Sequence, residues 1–407
     1  MDLFTGTSLR VTIQRCLRPN RMRLRTGLAC AAFYMAGLGI PVLAQTCPVF
    51  ALPAPTGPFG VGTTVLSPEV FPAGTHSSKV QIQLWYPAGE DAHGAKAPYV
   101  ADPLLKLMRE QKYYDQPDCV YEAWGRMNTH AFLDAAASTQ RGFPLVLFMP
   151  GEGVSRASYT SFAEQLASDG NVVAAFDFVH DGFMLPPDDT PDAGSEADAA
   201  VAVNEWAQDA SRFLDRFLAS NAGYKLPRNL GEQVQRAQIA AMGHSLGGAA
   251  ALQLCQTDVR VRACVDMDGS PFGEVAQKGL RTGALVLLSH VDHSDAELKA
   301  KGRTREQMEE KGRQRTAEWQ KVLAPSGGAV WVVKIQGTGH FSFSDGPFTM
   351  PSTVTRFGGT IIDSKRGLSI ITGALEAYLK SIFTPGSAFD PAPYPEATVI
   401  LTRAVSK

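Results

Sequence analysis

The stretch AQIAAMGHSLGGAAAL, residues 237–252, confines the chain more tightly than any other part of it. A β-prone apolar run reaches Gly243, an alanine-rich helical run follows Gly247, and three residues separate the two glycines. A backbone that passes from strand to helix in so few steps holds its central residue, Ser245, in a strained conformation with the hydroxyl raised above the sheet. Glycine on either side leaves room for neighbouring backbone that a side chain would block. The helix that begins there aims its first N–H groups at any negative charge developing beside the serine. Glycine-rich turns without chemistry share this spacing, but the strand-like and helix-like flanks favour a nucleophile.

The rest of the chain repeats the same rhythm. Short apolar runs fall at 145–149, 172–178, 239–242, 263–267, 284–289 and 330–335, and longer helical patterns such as 159–168 and 199–219 lie between them. Strands alternating with helices predict an α/β fold with a mostly parallel central sheet and helices on both faces. KVQIQLWYPA, from Lys79, alternates apolar and polar residues as a half-buried strand does, so the core is expected to begin near Lys79 after a Pro-, Gly- and Thr-rich segment. One catalytic domain is expected over 45–407, with a highly charged helix at 295–323 as a solvated surface insertion, a lid or a partner surface. Residues 384–407 read as a Pro-rich tail ending in an edge strand, ATVILTR. An acidic loop, LPPDDTPDAGSE at 185–196, follows the strand ending near Phe178, and loops at such strand ends border ligand sites.

Six arginines between Arg10 and Arg25 precede an apolar stretch from Gly27 to Ile40 and the sequence Val42-Leu43-Ala44. This reads as a signal peptide over 1–44, hence a secreted or periplasmic protein. The apolar stretch is shorter than the about 20 residues a membrane span needs, so no stable membrane span is expected. Without residues 1–44 the chain carries 32 basic and 39 acidic residues, a formal charge of −7, which disfavours nucleic acid as a partner. Four cysteines remain, with Cys255–Cys264 and Cys47–Cys119 as the expected disulfides and free buried thiols as the alternative.

A serine hydroxyl attacks near neutral pH only with a base in reach and an acid that holds the base in one tautomer. With the chain order Ser, acid, His, the histidines available after Ser245 are His290, His293 and His340. His340 in IQGTGHFSF follows the last strand-like run, where a loop returns over the serine; His290 and His293 sit where the acid is normally found. The order permits Asp268, Asp292 or Asp295 as the acid, with Asp266 as a buried strand-end residue.

Six segments then carry a resemblance: GPFGVG (57–62), QLWYPA (83–88), FPLVLFMPGEG (143–153), GHSLGG (243–248), DMDGSPFG (266–273) and GTGHFSFSD (337–345). In this order they resemble the platelet-activating-factor acetylhydrolase family of α/β-hydrolases, in its secreted bacterial branch. The resemblance implies the α/β-hydrolase fold, a Ser245–His340–Asp268 triad and no cofactor or metal. It also implies an oxyanion hole from the backbone N–H groups of Leu246 and Glu152, and a pocket position at His180. The chain departs from the family's H-G-x-G turn at Pro150 and Glu152, and the Glu152 carboxylate is expected to turn outward, since an inward charge would oppose an oxyanion.

The expected activity is hydrolysis of short-acyl esters, small molecules or lipids, through an acyl-enzyme. A lipase or cutinase-like polyester hydrolase and a catalytically silent binding protein are the alternatives. A metal-dependent hydrolase built on the His290–Asp295 cluster is a further one.

Overall fold

The computed structural model describes residues 47–66, 69–73, 76–179, 196–219, 223–300, 302–358 and 361–403. The signal peptide expected over 1–44, His180 and nearly all of the acidic loop lie outside the described residues.

Among the described residues one sheet of twelve strands organises the chain. Its middle is β7 (Val172–Val179), β6 (Phe143–Met149), β8 (Val234–His244), β9 (Val261–Met267), β10 (Ala284–His290) and β11 (Val330–Gln336). Neighbours in this stretch are all parallel. Antiparallel strands finish both ends. β12 (Ala397–Arg403) pairs with β11 as the edge strand expected from ATVILTR. On the other side β3 (His76–Pro87) pairs with β7 and with β1 (Val61–Val65) and β2 (Glu69–Ala73). There β5 (Asn128–Leu133) runs parallel to β1 and is joined by β4 (Lys96–Pro98). The core therefore begins earlier than Lys79: β1 and buried Leu52 already belong to it. Turn-forming residues obscure β1 in the sequence, because VGTTV carries few large apolar side chains.

The middle strands read as largely apolar runs because both faces are covered. Along β6, Leu145, Leu147 and Met149 point into one core while Val146 and Phe148 point into the other. The first core is closed by a long helix, α4 (Glu196–Leu218), whose Val203, Trp206, Ala207, Ala210, Phe213, Leu214 and Phe217 form one helical stripe. The second is closed by α3 (Thr160–Ser168) and by α8 (Ser364–Phe383), which contributes Ile370, Ile371, Leu375 and Tyr378. The helix after the serine turn, α5 (Leu246–Thr257), is buried from Leu246 to Cys255, and its Gly and Ala residues let it lie close against the sheet. A smaller apolar cluster gathers α1 (Asp102–Glu110) and α2 (Asp118–Arg126) around Tyr113, Tyr121 and Trp124. Two hydrogen bonds tie it to the loops above the sheet: Ser155 N–H to the Tyr113 hydroxyl at 3.2 Å, and Trp124 Nε1 to the Thr349 carbonyl at 3.2 Å. No helix among the described residues is long and apolar enough to cross a membrane.

The charged stretch expected as one helix is two, α6 (Asp295–Ala300) and α7 (Arg305–Leu323). Gly302 at φ +64° breaks the run, and Thr304 restarts it with a capping box to Gln307. Cys255 and Cys264 form a disulfide across nine residues, whereas Cys47 and Cys119 are free thiols. A bond closing so short a loop limits the unfolded chain modestly, and its replacement by Cys255→Ala/Cys264→Ala should cost about 2–3 kcal/mol. Urea unfolding of the two proteins side by side checks this, and an unchanged midpoint contradicts it.

Candidate active site

β8 ends at His244 and α5 starts at Leu246, so Ser245 alone makes the turn, at φ +56° and ψ −123°. A residue with a Cβ adopts such a φ only where its surroundings impose it. Here the surroundings are backbone. A Cβ on Gly243 would overlap the Gly247 carbonyl, and a Cβ on Gly247 would overlap the carbonyls of Met149 and Pro150. The Ser245 N–H donates to the Met267 carbonyl at 2.9 Å, locking the turn to β9.

Asp268 comes directly after β9, also at positive φ (+54°), with its N–H donating to the Leu287 carbonyl at 2.7 Å. Its buried carboxylate accepts four hydrogen bonds. Oδ2 takes His340 Nδ1 at 2.7 Å and the Ser289 hydroxyl at 2.8 Å; Oδ1 takes the Ser289 N–H at 2.9 Å and Arg315 Nη2 at 3.2 Å. Burial pushes this carboxyl upward. The hydrogen bond from His340, the Arg315 charge and the Ser289 N–H outweigh burial and hold it well below the ordinary carboxylate range. An ionised Asp268 accepting from Nδ1 fixes the proton of His340 there and leaves Nε2 as the basic nitrogen.

His340 opens a short 3₁₀ turn, His340–Phe343, in the loop that leaves β11. Its ring lies 4.5 Å from that of His244, the neighbour of Ser245. The loop is held at its far end by buried Asp345, which accepts the Ser161 N–H at 3.1 Å and the Ser161 hydroxyl. Burial lifts Asp345 from 3.8 to about 7 despite these hydrogen bonds. The native protein therefore keeps a proton there that the unfolded chain releases, so stability is full below about pH 4 and is lost as pH rises toward 7. A rise of that size corresponds to at most about 4 kcal/mol. Asp345→Asn should make the decline shallower, the remainder coming from Asp266 and Glu376, which burial also raises to about 7. Urea midpoints of both proteins at about pH 5 and about pH 8 read it out, and equal slopes would contradict the assignment.

The turn after β6 passes over the serine. Gly151 and Val154 close it by a 3.0 Å backbone hydrogen bond, with Gly153 at φ +67° in third place, as a type II turn requires. A Cβ on Gly151 would stand 3.4 Å from Ser245 Cβ. The Gly151 N–H donates to the Tyr159 hydroxyl at 2.9 Å, and that hydroxyl lies 2.8 Å from His244 Nδ1. With its oxygen already accepting, the hydroxyl proton is left for Nδ1. Burial, and then His340, push His244 well below its ordinary value, so it stays neutral. One chain of hydrogen bonds thus joins the turn carrying Glu152 to the strand end carrying Ser245. Glu152 is exposed.

The structure brings Asp268 and His340 together beside the Ser245 turn and leaves the other acids elsewhere. Asp292 pairs with His290 at 3.3 Å and accepts Gln336 Nε2 at 2.6 Å, while Asp295 pairs with Arg305 at 2.7 Å. Asp266 is fully buried under Gly248 and Gly269 and accepts the Gly269 N–H at 2.7 Å; burial raises it to about 7. Among the described residues no group of three or more His, Cys, Asp or Glu is arranged to hold a metal ion. Sequence reasoning missed Ser289, Tyr159 and Arg315. Ser289 was within reach, since it lies near the end of the strand beside β9, level with the acid. Tyr159 and Arg315 gave no signal, being one aromatic in an apolar helix start and one arginine in a charged helix.

A family model described as platelet-activating factor acetylhydrolase, isoform II, matches residues 45–182 and 218–390. A platelet-activating factor acetylhydrolase of Canis lupus familiaris is 25% identical over 255 residues, which cover 53% of this chain and 54% of that protein. A probable 1-alkyl-2-acetylglycerophosphocholine esterase of Arthroderma benhamiae is 29% identical over 141 residues, 34% of each. The chain thus spans a third to about half the length of these two relatives. A solved structure, ferulic acid esterase from Streptomyces cinnamoneus, superposes with a TM-score of 0.64 at 22% identity, covering 86% of this chain and 98% of that one. That likeness bears on the fold, an α/β-hydrolase fold.

Proposed function

The chain belongs to the platelet-activating factor acetylhydrolase isoform II family, and from that premise we propose that it is an exported serine hydrolase of short-acyl carboxylic esters. The observation that carries the reading is the 2.7 Å pair of His340 and Asp268 set beside a serine held at φ +56°. In the reaction, Ser245 Oγ attacks the ester carbonyl while His340 Nε2 takes its proton. The carbonyl oxygen becomes an oxyanion facing the backbone N–H groups of Leu246 and Glu152. Collapse of this intermediate expels the alcohol, which receives the proton from His340, and leaves the acyl group on Ser245. Water, deprotonated by the same nitrogen, repeats the sequence and releases the acid. Asp268 keeps the imidazole oriented and stabilises its charged form.

The acetyl ester named for the family's relatives makes a short acyl group the first choice of substrate. Export follows from the Arg-rich start and apolar stretch of residues 1–44. The test is a p-nitrophenyl ester series from acetate to palmitate, run with purified protein and a fluorophosphonate label traced to its residue. Label on Ser245 with rates falling steeply as the acyl chain lengthens is the expected result. Preference for palmitate would make the protein a lipase, and absence of both label and turnover would leave a binding protein of hydrolase fold.

A further inference from the structure

The charged helix α7 reaches the catalytic acid. Its last turns are anchored by Trp319, Val322 and Leu323, all buried against the first core, while most of its earlier turns are exposed. Arg315 lies one turn before Trp319, where the helix leaves the core. Its Nη2 donates to the Gly269 carbonyl at 2.8 Å and to Asp268 Oδ1 at 3.2 Å. The carboxylate is thus divided: Oδ1 faces Arg315 and the Ser289 N–H, and Oδ2 faces His340 and the Ser289 hydroxyl.

We propose that Arg315 is a positioning residue for the triad acid, so that the surface helix is a working part of the active site. The proposal rests on the Ser245–His340–Asp268 reading given above. Two carboxylates, Asp266 and Asp268, stand two residues apart at the end of β9, and Asp266 Oδ2 has no hydrogen-bond partner among the described residues. Without the Arg315 cation, the Ser289 N–H alone would hold Oδ1, and the Asp268 carboxylate could turn away from the imidazole. Arg315 favours the ionised form of Asp268 and fixes the rotation of its carboxylate from the side opposite His340. The other titratable side chains around this group are His340 itself and neutral His244.

The test compares Arg315→Gln and Arg315→Lys with the unaltered protein on p-nitrophenyl acetate across the pH range. Loss of one charge-assisted contact to a carboxylate predicts a kcat lower by about 10- to 100-fold in Arg315→Gln, with KM within about twofold. The acid limb of its kcat/KM profile should move to higher pH, because a positive charge that opposed a second one on the imidazole is gone. Arg315→Lys keeps the charge without the planar fork, so its limb should stay in place with intermediate kcat. In an Asp268→Asn background, Arg315→Gln should cost nothing further. That double-variant comparison, read on soluble protein with an unchanged melting point, separates positioning from mere support of the helix. Unchanged kcat and limb in Arg315→Gln, with Ser245→Ala and Asp268→Asn inactive, overturn the role of Arg315 and leave the triad standing. Full activity in Ser245→Ala or Asp268→Asn would overturn the triad itself.

Discussion

Ser245→Ala should lower kcat on p-nitrophenyl acetate by ~10⁵-fold and abolish fluorophosphonate labelling, while the protein stays folded. The size of the loss follows from the division of labour at the site. Binding and the oxyanion donors survive the substitution, so a residue of activity above water remains, but the covalent route is closed. Alanine at φ +56° bears the same backbone strain as serine, so stability should change by less than about 1 kcal/mol. Ser245→Gly sharpens the test: it should be equally inactive yet more stable by about 1 kcal/mol, because glycine accepts that φ without cost. Activity within about tenfold of the unaltered protein in either variant would move the nucleophile to another residue.

The second large effect belongs to the pair behind the serine. His340→Ala removes the base and should cost ~10⁵-fold in kcat, about as much as Ser245→Ala. Asp268→Asn should cost ~10⁴-fold, since an amide can offer its own N–H to Nδ1 and place the imidazole proton on the wrong nitrogen. Combining Asp268→Asn with Ser245→Ala should add almost nothing to the serine variant alone, because the groups act as one unit. Steady-state rates for the three variants and the double variant decide this, and multiplicative losses would mean that the groups act independently. The stability cost of Asp268→Asn should exceed that of the serine variant. Arg315, Ser289 and His340 all donate to the lost carboxylate, and an amide with one acceptor oxygen cannot satisfy them all.

The serine turn was legible in the sequence because the constraint there is covalent geometry: only glycine admits the backbone that crowds Gly243 and Gly247. The middle strands were legible because burial on both faces leaves them nearly pure apolar runs. Choosing Asp268 over Asp266 was a harder matter. Two residues apart, they lie at the same strand end, and what separates them is which carboxylate meets His340, a tertiary fact that a resemblance conveyed and spacing did not. The α1–α2 cluster escaped notice because aromatic residues scattered through short segments carry no clean period, and β1 because VGTTV has few large apolar side chains. Arg315 was invisible for the opposite reason, since an arginine inside a helix full of charges looks like any solvated residue until its contacts to Asp268 and the Gly269 carbonyl are seen.

The disulfide joins the end of α5 to the middle of β9, and those two elements carry Ser245 at the start of one and Asp268 just past the other. Ser245 and Asp268, the proposed nucleophile and acid, therefore stand on the two arms of a covalently closed clasp whose fastening lies away from them. Such a clasp frees the loops above it from the duty of holding the pair in register. Exchanges in the loops other than those that carry His340 and Glu152 can then change what reaches Ser245 without disturbing the reacting groups. For anyone redesigning the substrate range, the clasp marks which part of the molecule to keep and which part to rewrite.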